Sequence, residues 1–240
     1  MSTIKLYSSW LCPYAQRVWC ALNEYGVTYE LIESFEFHPE TFQYIKHPEL
    51  LQYNPKGLVP TIVETKGDNE LVVKCESIDI LKDFCSTYIN KEEAASQTVD
   101  CHTYNESICS PFYGALMKTD PKERLESWNK MLKGLELFAK HLLWNEECDK
   151  QSISFFKGTQ DRPTIVDLTV FPWVHRLFLL DHFKSLSLDG KEGSSILSQE
   201  SKDKIMAWQM KMEDYPPVKS TLAEREKLIE VHVMYAKRKS

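Results

Sequence analysis

The sequence contains no long hydrophobic run. Its longest apolar stretches, such as Leu177–Leu180, are far shorter than the ~20 residues that a membrane-spanning helix needs. The residues after Met1 also lack the basic start and the apolar core of a secretion signal. We therefore expect a cytoplasmic protein that does not cross a membrane.

An excess of basic residues is missing as well. The 240 residues include 29 Lys and Arg against 35 Asp and Glu, which gives a formal net charge of −6. A chain that binds nucleic-acid phosphates or an anionic membrane surface has the opposite balance. The sequence therefore predicts no nucleic-acid partner and no membrane partner.

The seven cysteines include no Cys-x-x-Cys pair. They stand at positions 12, 20, 75, 85, 101, 109 and 148. Structural zinc sites and dithiol redox sites both use closely spaced pairs, so the sequence predicts no metal site. An odd number of cysteines in a chain this long favours reduced thiols in a cytosolic setting.

Hydropathy patterning over residues 1–89 predicts a compact α/β domain. Short strand-like runs alternate with helical patterns in the order βαβαββα. The second helix of that order is predicted over Pro39–Lys46. Leu58–Glu64 and Leu71–Lys74 form a predicted antiparallel hairpin.

The remainder of the chain predicts an all-helical domain. The polar segment Asn90–Gln97 is interpreted as the linker, and residues 98–240 show no convincing strand pair. A long amphipathic helix is predicted after Asp120, an N-cap residue. Thr164 and Asp167 form a second capping box, which opens a nearly all-apolar run predicted to be the buried centre of this domain.

A cysteine stands between the first strand and the first helix. Cys12 precedes Pro13, a residue type favoured in the first turn of a helix. The positive end of the helix macrodipole can lower a thiol pKa from ~8.5 to roughly 3.5–7.5, which suits attack on a disulfide. Arg17 adds positive charge if its side chain folds back. An unreactive, buried Cys12 is the alternative.

The position three residues after Cys12 restricts the thiol chemistry. A dithiol enzyme carries its resolving cysteine there, but this chain has Ala15. Cys20 is two turns along the same helix, too far for a disulfide. The second thiol must therefore come from solution, and an intracellular tripeptide thiol is the natural candidate.

Two further segments suggest a ligand site. If the Val59–Pro60 bond is cis, the Val59 backbone faces a ligand rather than the sheet; a trans bond is the alternative. Ser77 and nearby backbone N–H groups at a predicted helix start can hold a carboxylate, and Glu76 can hold an ammonium group. An ordinary N-cap is the alternative there.

Three segments in this order resemble a known family. They are Cys12-Pro13-Tyr14-Ala15, Asn54-Pro55-Lys56-Gly57-Leu58-Val59-Pro60 and Glu76-Ser77. Together they resemble the thioredoxin-fold half of cytosolic glutathione transferases, and the cysteine motif resembles that of the omega class. Looser similarities at Thr164–Asp167, Pro172-Trp173, Arg176 and Trp208 extend the resemblance over essentially the whole chain.

The resemblance implies two domains and a thiol-transfer reaction. Residues 1–89 would form a thioredoxin-like βαβαββα domain that binds glutathione, and residues 98–240 a helical bundle that forms the second-substrate pocket. Glutathione would be the co-substrate, with no metal. The expected activities are deglutathionylation of small-molecule or protein mixed disulfides and dehydroascorbate reduction, performed by a homodimer.

The resemblance also implies roles for individual residues. Cys12 would form a mixed disulfide with glutathione. Tyr14 would lie beside the peptide, Val59 would pair with its cysteinyl backbone next to cis-Pro60, and Glu76 and Ser77 would bind its γ-glutamyl end. Trp173, Arg176 and Trp208 would line the second-substrate pocket, with core packing as the alternative.

One position departs from the omega pattern. Omega proteins contact the glycyl carboxylate with a Lys just before the Pro that precedes the Asn-Pro motif. This chain has His47 there and Lys46 one residue earlier. A neutral His contacts an anion more weakly than Lys does, so both residues remain candidates.

Two other functions compete with thiol transfer. In a conjugating transferase, a hydroxyl from Tyr7, Ser8 or Ser9 would activate the glutathione thiol for attack on an electrophile. In a non-catalytic relative, the fold would only bind ligands.

Overall fold

The computed structural model describes residues 3–38, 40–41, 43–67, 70–145, 152–190 and 196–237. The chain divides into two compact units. The N-terminal unit comprises the described residues within 1–96 and 216–231, and the helical unit comprises those within 97–215 and 232–240.

The first ninety residues form a mixed sheet with helices, which confirms the predicted class. The elements in chain order are β1 (Thr3–Ser8), α1 (Pro13–Glu24), β2 (Glu30–Glu33), β3 (Phe35–His38), β4 (Gln43–Lys46), α2 (Pro48–Tyr53), β5 (Thr61–Thr65), β6 (Leu71–Lys74) and α3 (Ser77–Tyr88). The strand order of the main sheet is β2-β1-β5-β6. Strand β1 pairs parallel with β2 and antiparallel with β5, which pairs antiparallel with β6.

Successive residues of β1 support two separate cores, because side chains alternate across a strand. Leu6 packs with Val18, Leu22 and other apolar residues of α1, β5 and α3. Tyr7 packs in a second cluster that includes Val59. The end of β1 is therefore packed on both faces of the sheet.

The helix predicted over Pro39–Lys46 is wrong. Within the described part of that segment, Gln43–Lys46 is strand β4, which pairs antiparallel with β3. The helix between the sheet strands lies later, at Pro48–Tyr53, where His47 caps it and Pro48 occupies its first turn. Exposed and half-buried residues alternate along Gln43–Lys46, as they do in a strand.

Helices make up most of the helical unit, as predicted, but Trp144–Asn145 and Ser152–Ile153 form a short antiparallel strand pair that the sequence analysis did not predict. The elements from residue 91 onward are α4 (Lys91–Tyr104), a π-helical turn (Asn105–Cys109), α5 (Ser110–Met117), α6 (Pro121–Ala139), β7 (Trp144–Asn145), β8 (Ser152–Ile153), a 3₁₀ turn (Phe156–Gly158), α7 (Ile165–Val174), α8 (Leu177–Lys184), α9 (Gln199–Asp214), α10 (Pro216–Lys219) and α11 (Arg225–Ala236). Helix α10 and most of α11 belong to the N-terminal unit. No helix in the described ranges is long and apolar enough to cross a membrane.

The structure tests two predictions for the chain after residue 89, the linker and the capping box. The segment interpreted as a linker is helical from Lys91, because the Asn90 side chain accepts a hydrogen bond from the Glu93 N–H at 2.7 Å and caps α4. The predicted capping box of Thr164 and Asp167 is present, and every residue of α7 after it is buried. The predicted apolar run is divided, since α7 ends at Val174 and α8 begins at Leu177.

Candidate functional site

Cys12 lies at the start of α1. It is the N-cap residue, with φ −86° and ψ 115°, and Pro13 follows in the first turn. Its N–H donates to the Ser9 carbonyl at 3.0 Å, and its own carbonyl accepts from the Gln16 N–H at 3.0 Å. The side chain is half-buried. A thiol at this point experiences the positive end of the helix macrodipole, which favours a thiolate.

The backbone of Val59 faces this thiol. The Val59–Pro60 bond is cis, and the Val59 carbonyl oxygen lies 3.9 Å from Cys12 Sγ. The Asn54 side chain fixes the preceding loop by donating to the Leu58 carbonyl at 3.1 Å and to the Thr61 hydroxyl at 3.0 Å. Cys12 and Val59, which are 47 positions apart in sequence, thus meet at one place.

Glu76 and Ser77 begin α3 in an unusual conformation. Glu76 is its N-cap and has φ +64° and ψ 104°, values that a non-glycine residue rarely adopts. Ser77 Oγ accepts a hydrogen bond from Arg17 Nη1 at 3.0 Å, and both side chains are buried. Backbone strain of this kind clusters at ligand sites, and a guanidinium beside a hydroxyl suits a carboxylate.

Arg17 contacts the start of α3. Its guanidinium lies on Ser77 and 5.1 Å from the centre of the Tyr14 ring. Burial on α1 directs it toward the start of α3, so the positive charge stands at the Ser77 end of the site. The sequence pattern could not show this, because the contact joins residues 60 positions apart.

One cleft connects most of the predicted glutathione contacts. Its volume is about 560 Å³, within the range of small-molecule sites. Tyr14, Val59, Pro60, Glu76 and Ser77 line it, together with Asn54, Pro55, Lys56, Leu58 and Cys75. Sequence reasoning missed Cys75, although its position directly before Glu76 was a usable signal.

Lys46 and His47 make different hydrogen bonds. Lys46 Nζ donates to the Lys56 carbonyl at 2.9 Å, so the ammonium lies beside the loop that lines the cleft. His47 Nδ1 accepts from the Glu49 N–H at 3.3 Å as the N-cap of α2. The imidazole therefore has a structural contact, whereas the ammonium is directed toward the cleft loop.

The three hydroxyls of the conjugating alternative are buried. Tyr7, Ser8 and Ser9 have at most 1% of their surface exposed. Burial raises the pKa of Tyr7 well above its usual range, and its interaction with Glu49 adds to the rise. Neither these residues nor Cys12 line the cleft, but Cys12 is half-buried whereas the three hydroxyl residues are buried. Hydroxyl activation of a bound thiol thus receives no support from this arrangement.

The predicted second-substrate residues lie in the core of the helical unit. Trp173, Arg176 and Trp208 are all 0% exposed. Trp208 Nε1 donates to Asp167 at 2.7 Å, and Arg176 Nη1 donates to the Pro172 carbonyl at 2.8 Å. This burial favours core packing over an open pocket for all three residues, and their second-substrate role stays a prediction. Core packing was the alternative for all three.

The described residues bring together no group of three His, Cys, Asp or Glu side chains suited to a metal ion.

Comparison with known proteins places this site in a family context. Residues 11–87 match the family model of the glutathione S-transferase N-terminal domain. Among curated proteins, the chain is 28% identical over 184 residues to glutathione S-transferase omega-1 of Mus musculus, with 74% of this chain and 68% of that protein covered. The residues that match the family model include Cys12, Val59 and Glu76.

Solved structures share the fold. Glutathione transferase Omega 3C from Trametes versicolor has a TM-score of 0.69 at 21% identity, over 97% of this chain and 89% of that one. Rice GST1, solved in complex with glutathione, has a TM-score of 0.72 at 17% identity, over 100% and 99% of the two chains. The N-terminal part of the chain is thus similar to the glutathione S-transferase domain, and the chain shares the fold of the solved glutathione transferases.

Proposed function

We propose that the protein is a glutathione-dependent thioltransferase in which Cys12 is the nucleophile. The observation that carries the proposal is the position of the half-buried Cys12 thiol, at the N-terminus of α1 and 3.9 Å from the Val59 carbonyl. The helix end stabilises a thiolate, and an accessible thiolate attacks disulfides. Small-molecule or protein mixed disulfides of glutathione are the proposed substrates.

The proposed reaction has two exchange steps. The Cys12 thiolate attacks the glutathione sulfur of a mixed disulfide, the new S–S bond forms, and the substrate leaves as a thiolate that takes up a proton. A second glutathione, as its thiolate, then attacks the glutathione sulfur bound to Cys12. Glutathione disulfide leaves and the Cys12 thiolate is restored.

Dehydroascorbate reduction is the second proposed activity. Dehydroascorbate takes up two electrons and two protons, which two glutathione thiols supply as they become glutathione disulfide. The same Cys12–glutathione mixed disulfide would be resolved in this reaction.

The cleft offers a matching group for each part of glutathione. Glu76 would receive the γ-glutamyl ammonium, and Ser77 with the Arg17 guanidinium would receive its carboxylate, since Arg17 lies 3.0 Å from Ser77 Oγ. The Val59 backbone would pair with the cysteinyl residue, and Tyr14 would lie beside the peptide. This arrangement would bring the glutathione sulfur to Cys12.

Lys46 is the proposed contact for the glycyl carboxylate. Its ammonium lies 2.9 Å from the Lys56 carbonyl, beside the cleft. We expect Lys46→Gln to weaken glutathione binding about tenfold, because a charge-assisted hydrogen bond contributes roughly 1.5–3 kcal/mol. His47→Asn, which keeps an N-cap acceptor, should change the affinity by less than about twofold.

Calorimetric titration of both variants with glutathione and with γ-glutamylcysteine distinguishes the two residues. The dipeptide lacks the glycyl carboxylate, so wild type and Lys46→Gln should bind it equally. A larger loss in His47→Asn than in Lys46→Gln would assign the contact to His47 instead.

Intact mass spectrometry after incubation with glutathione disulfide tests the proposed mechanism. Wild type should gain one glutathione at Cys12, and Cys12→Ala should gain none. Cys75→Ala is the matched variant, since Cys75 is a half-buried thiol that lines the cleft, and it should still gain one. An adduct that persists in Cys12→Ala and disappears in Cys75→Ala would reject Cys12 as the nucleophile.

The absence of any adduct would favour the other two functions. Rapid conjugation of an aryl halide would then support the conjugating transferase, and ligand binding without turnover would support the non-catalytic one. We also propose a cytoplasmic homodimer, on the family resemblance alone.

A further inference from the structure

The side chain of Lys46 lies across a glycine of the cleft loop. Lys46 is the last residue of β4, and its Nζ donates to the Lys56 carbonyl at 2.9 Å. A Cβ atom at position 57 would lie 2.8 Å from that Nζ and closer still to Lys46 Cδ. Gly57 is buried, although its neighbours Lys56 and Leu58 are exposed. The stem of Lys46 therefore occupies the space that a side chain at position 57 would need.

The backbone around Gly57 is tied to Asn54. Gly57 has φ +59°, a value that few other residues adopt, and its N–H donates to the Asn54 carbonyl at 2.7 Å. The buried Asn54 also accepts from the Lys56 N–H through its side chain at 3.2 Å. A side chain at position 57 would thus meet a hydrogen-bonded loop on one side and a flexible lysine on the other. The lysine is the part that can move.

Leu51 is the third group close to this position. Its Cδ2 would lie 2.9 Å from a Cβ atom at position 57. The Leu51 side chain is 42% exposed, so its end can rotate toward solvent without opening a cavity in the core. The Lys46 ammonium can rotate away as well, but it then leaves the Lys56 carbonyl. A substitution at position 57 should therefore displace the ammonium with little damage to packing.

We propose that Gly57 is a positioning residue for Lys46, which makes position 57 decide how strongly the cleft prefers a peptide with a free glycyl carboxylate. The missing side chain keeps the ammonium beside the cleft loop, where a charge-assisted hydrogen bond to a carboxylate can form. The inference rests on the proposed contact between Lys46 and glutathione. It concerns peptide selectivity, so the exchange steps at Cys12 should remain possible in variants of Gly57.

Calorimetric titration with glutathione and with its glycyl ethyl ester tests the proposal. The ester keeps the thiol and the γ-glutamyl end but has no charge at the glycyl carboxyl group. Wild type should bind glutathione about tenfold more tightly than the ester. In Gly57→Ala this ratio should fall to about twofold or less, while affinity for the ester stays within about twofold of wild type. Gly57→Asn should lower the ratio equally, because Asn accepts positive φ more readily than Ala but also carries a Cβ atom.

Gly26→Ala is the matched control. Gly26 has φ +63°, close to that of Gly57, but a Cβ atom there would meet no heavy atom of the described residues within 4 Å apart from its chain neighbours. Gly26→Ala therefore has similar backbone strain but displaces no lysine. Its ratio should equal that of wild type. Thermal unfolding should show lowered midpoints in both alanine variants, so a difference between their ratios would not come from stability.

The double variant Lys46→Gln with Gly57→Ala completes the test. If Gly57 acts through Lys46, the double variant should have the same ratio as Lys46→Gln alone. A tenfold ratio kept by Gly57→Ala and Gly57→Asn but lost in Lys46→Gln would overturn the positioning role and leave the proposed Lys46 contact intact. A ratio kept by Lys46→Gln would overturn both, and so would equal binding of glutathione and ester by wild type. The glutathione adduct at Cys12 reports on thiol transfer separately, whereas the ratios decide the role of Gly57.

Discussion

Cys12→Ala should lose thiol transfer almost completely. We expect kcat/KM toward a mixed disulfide of glutathione and 2-mercaptoethanol to fall by about 10³-fold or more, because the variant lacks the attacking sulfur. Dehydroascorbate reduction should fall with it. The half-buried position of Cys12 at the N-cap of α1 makes it the thiol best placed for the reaction. Steady-state assays of both activities would measure the effect.

Cys12→Ser separates chemistry from packing. The hydroxyl replaces the thiol with little change in volume, but it does not ionise near neutral pH and cannot form a disulfide. We therefore expect Cys12→Ser to be as inactive as Cys12→Ala, while both variants bind glutathione within about threefold of wild type. Substantial turnover by either variant would exclude Cys12 as the nucleophile.

Asp167→Ala should destabilise the protein more than any other single change considered. Asp167 is 0% exposed and accepts from the Phe156 N–H at 2.9 Å, the Trp208 indole at 2.7 Å, and the Thr164 N–H and hydroxyl, both at 2.7 Å. Removal of the carboxylate leaves these buried donors without their acceptor. We expect the free energy of unfolding to fall by about 3–5 kcal/mol, a large part of a typical total of roughly 5–15 kcal/mol.

Two variants set the scale for that measurement. Asp167→Asn keeps the shape and one carbonyl acceptor, so its loss should be smaller than that of Asp167→Ala. Asp161→Ala removes an exposed acid of the same unit and should change stability by less than about 0.5 kcal/mol. Urea unfolding followed by far-UV circular dichroism would rank the three. An unfolding midpoint of Asp167→Ala equal to that of Asp161→Ala would contradict the buried network.

Local signals made much of the fold predictable. Pro13 marks the start of α1, and the predicted antiparallel hairpin is present as β5 and β6. The N-cap of α6 and the capping box of α7 stand where Asp120 and Thr164 predicted them. Each of these features depends on residues within a few positions, which a single sequence displays.

Features that depend on distant partners were harder to predict. Strand β4 exists because it pairs with β3, and its alternation of exposure appears only once that pairing is formed, because the apolar Ile45 stands at an exposed position. The Asn90 cap of α4 was a local signal, but the polar composition of Asn90–Gln97 obscured it. The burial of Trp173 and Trp208 depends on the packing of helices, and an aromatic residue at helical spacing fits core and pocket equally well.

In the candidate site, too, short motifs were predictable and contacts between distant residues were not. Cys12, Tyr14, Val59 and Glu76 were recognisable as motifs because each belongs to a short run of residues. The position of the Arg17 guanidinium on Ser77 was not recognisable, since the tertiary fold brings α1 to the start of α3. Residue types can be inferred from motifs, but the direction of a long side chain follows from what buries it.

The left-handed backbone of Glu76 creates a conflict between two kinds of selection. With φ +64°, this position would suit glycine, which tolerates positive φ without the roughly 1–2 kcal/mol that other residues lose. Glycine, however, carries no carboxylate to meet an ammonium group. A library screened for thermal resistance alone should therefore enrich glycine here, and one screened for glutathione turnover should retain the acid. The two screens would select different residues at position 76. The residues recovered would show whether glutamate is retained there for activity rather than for stability.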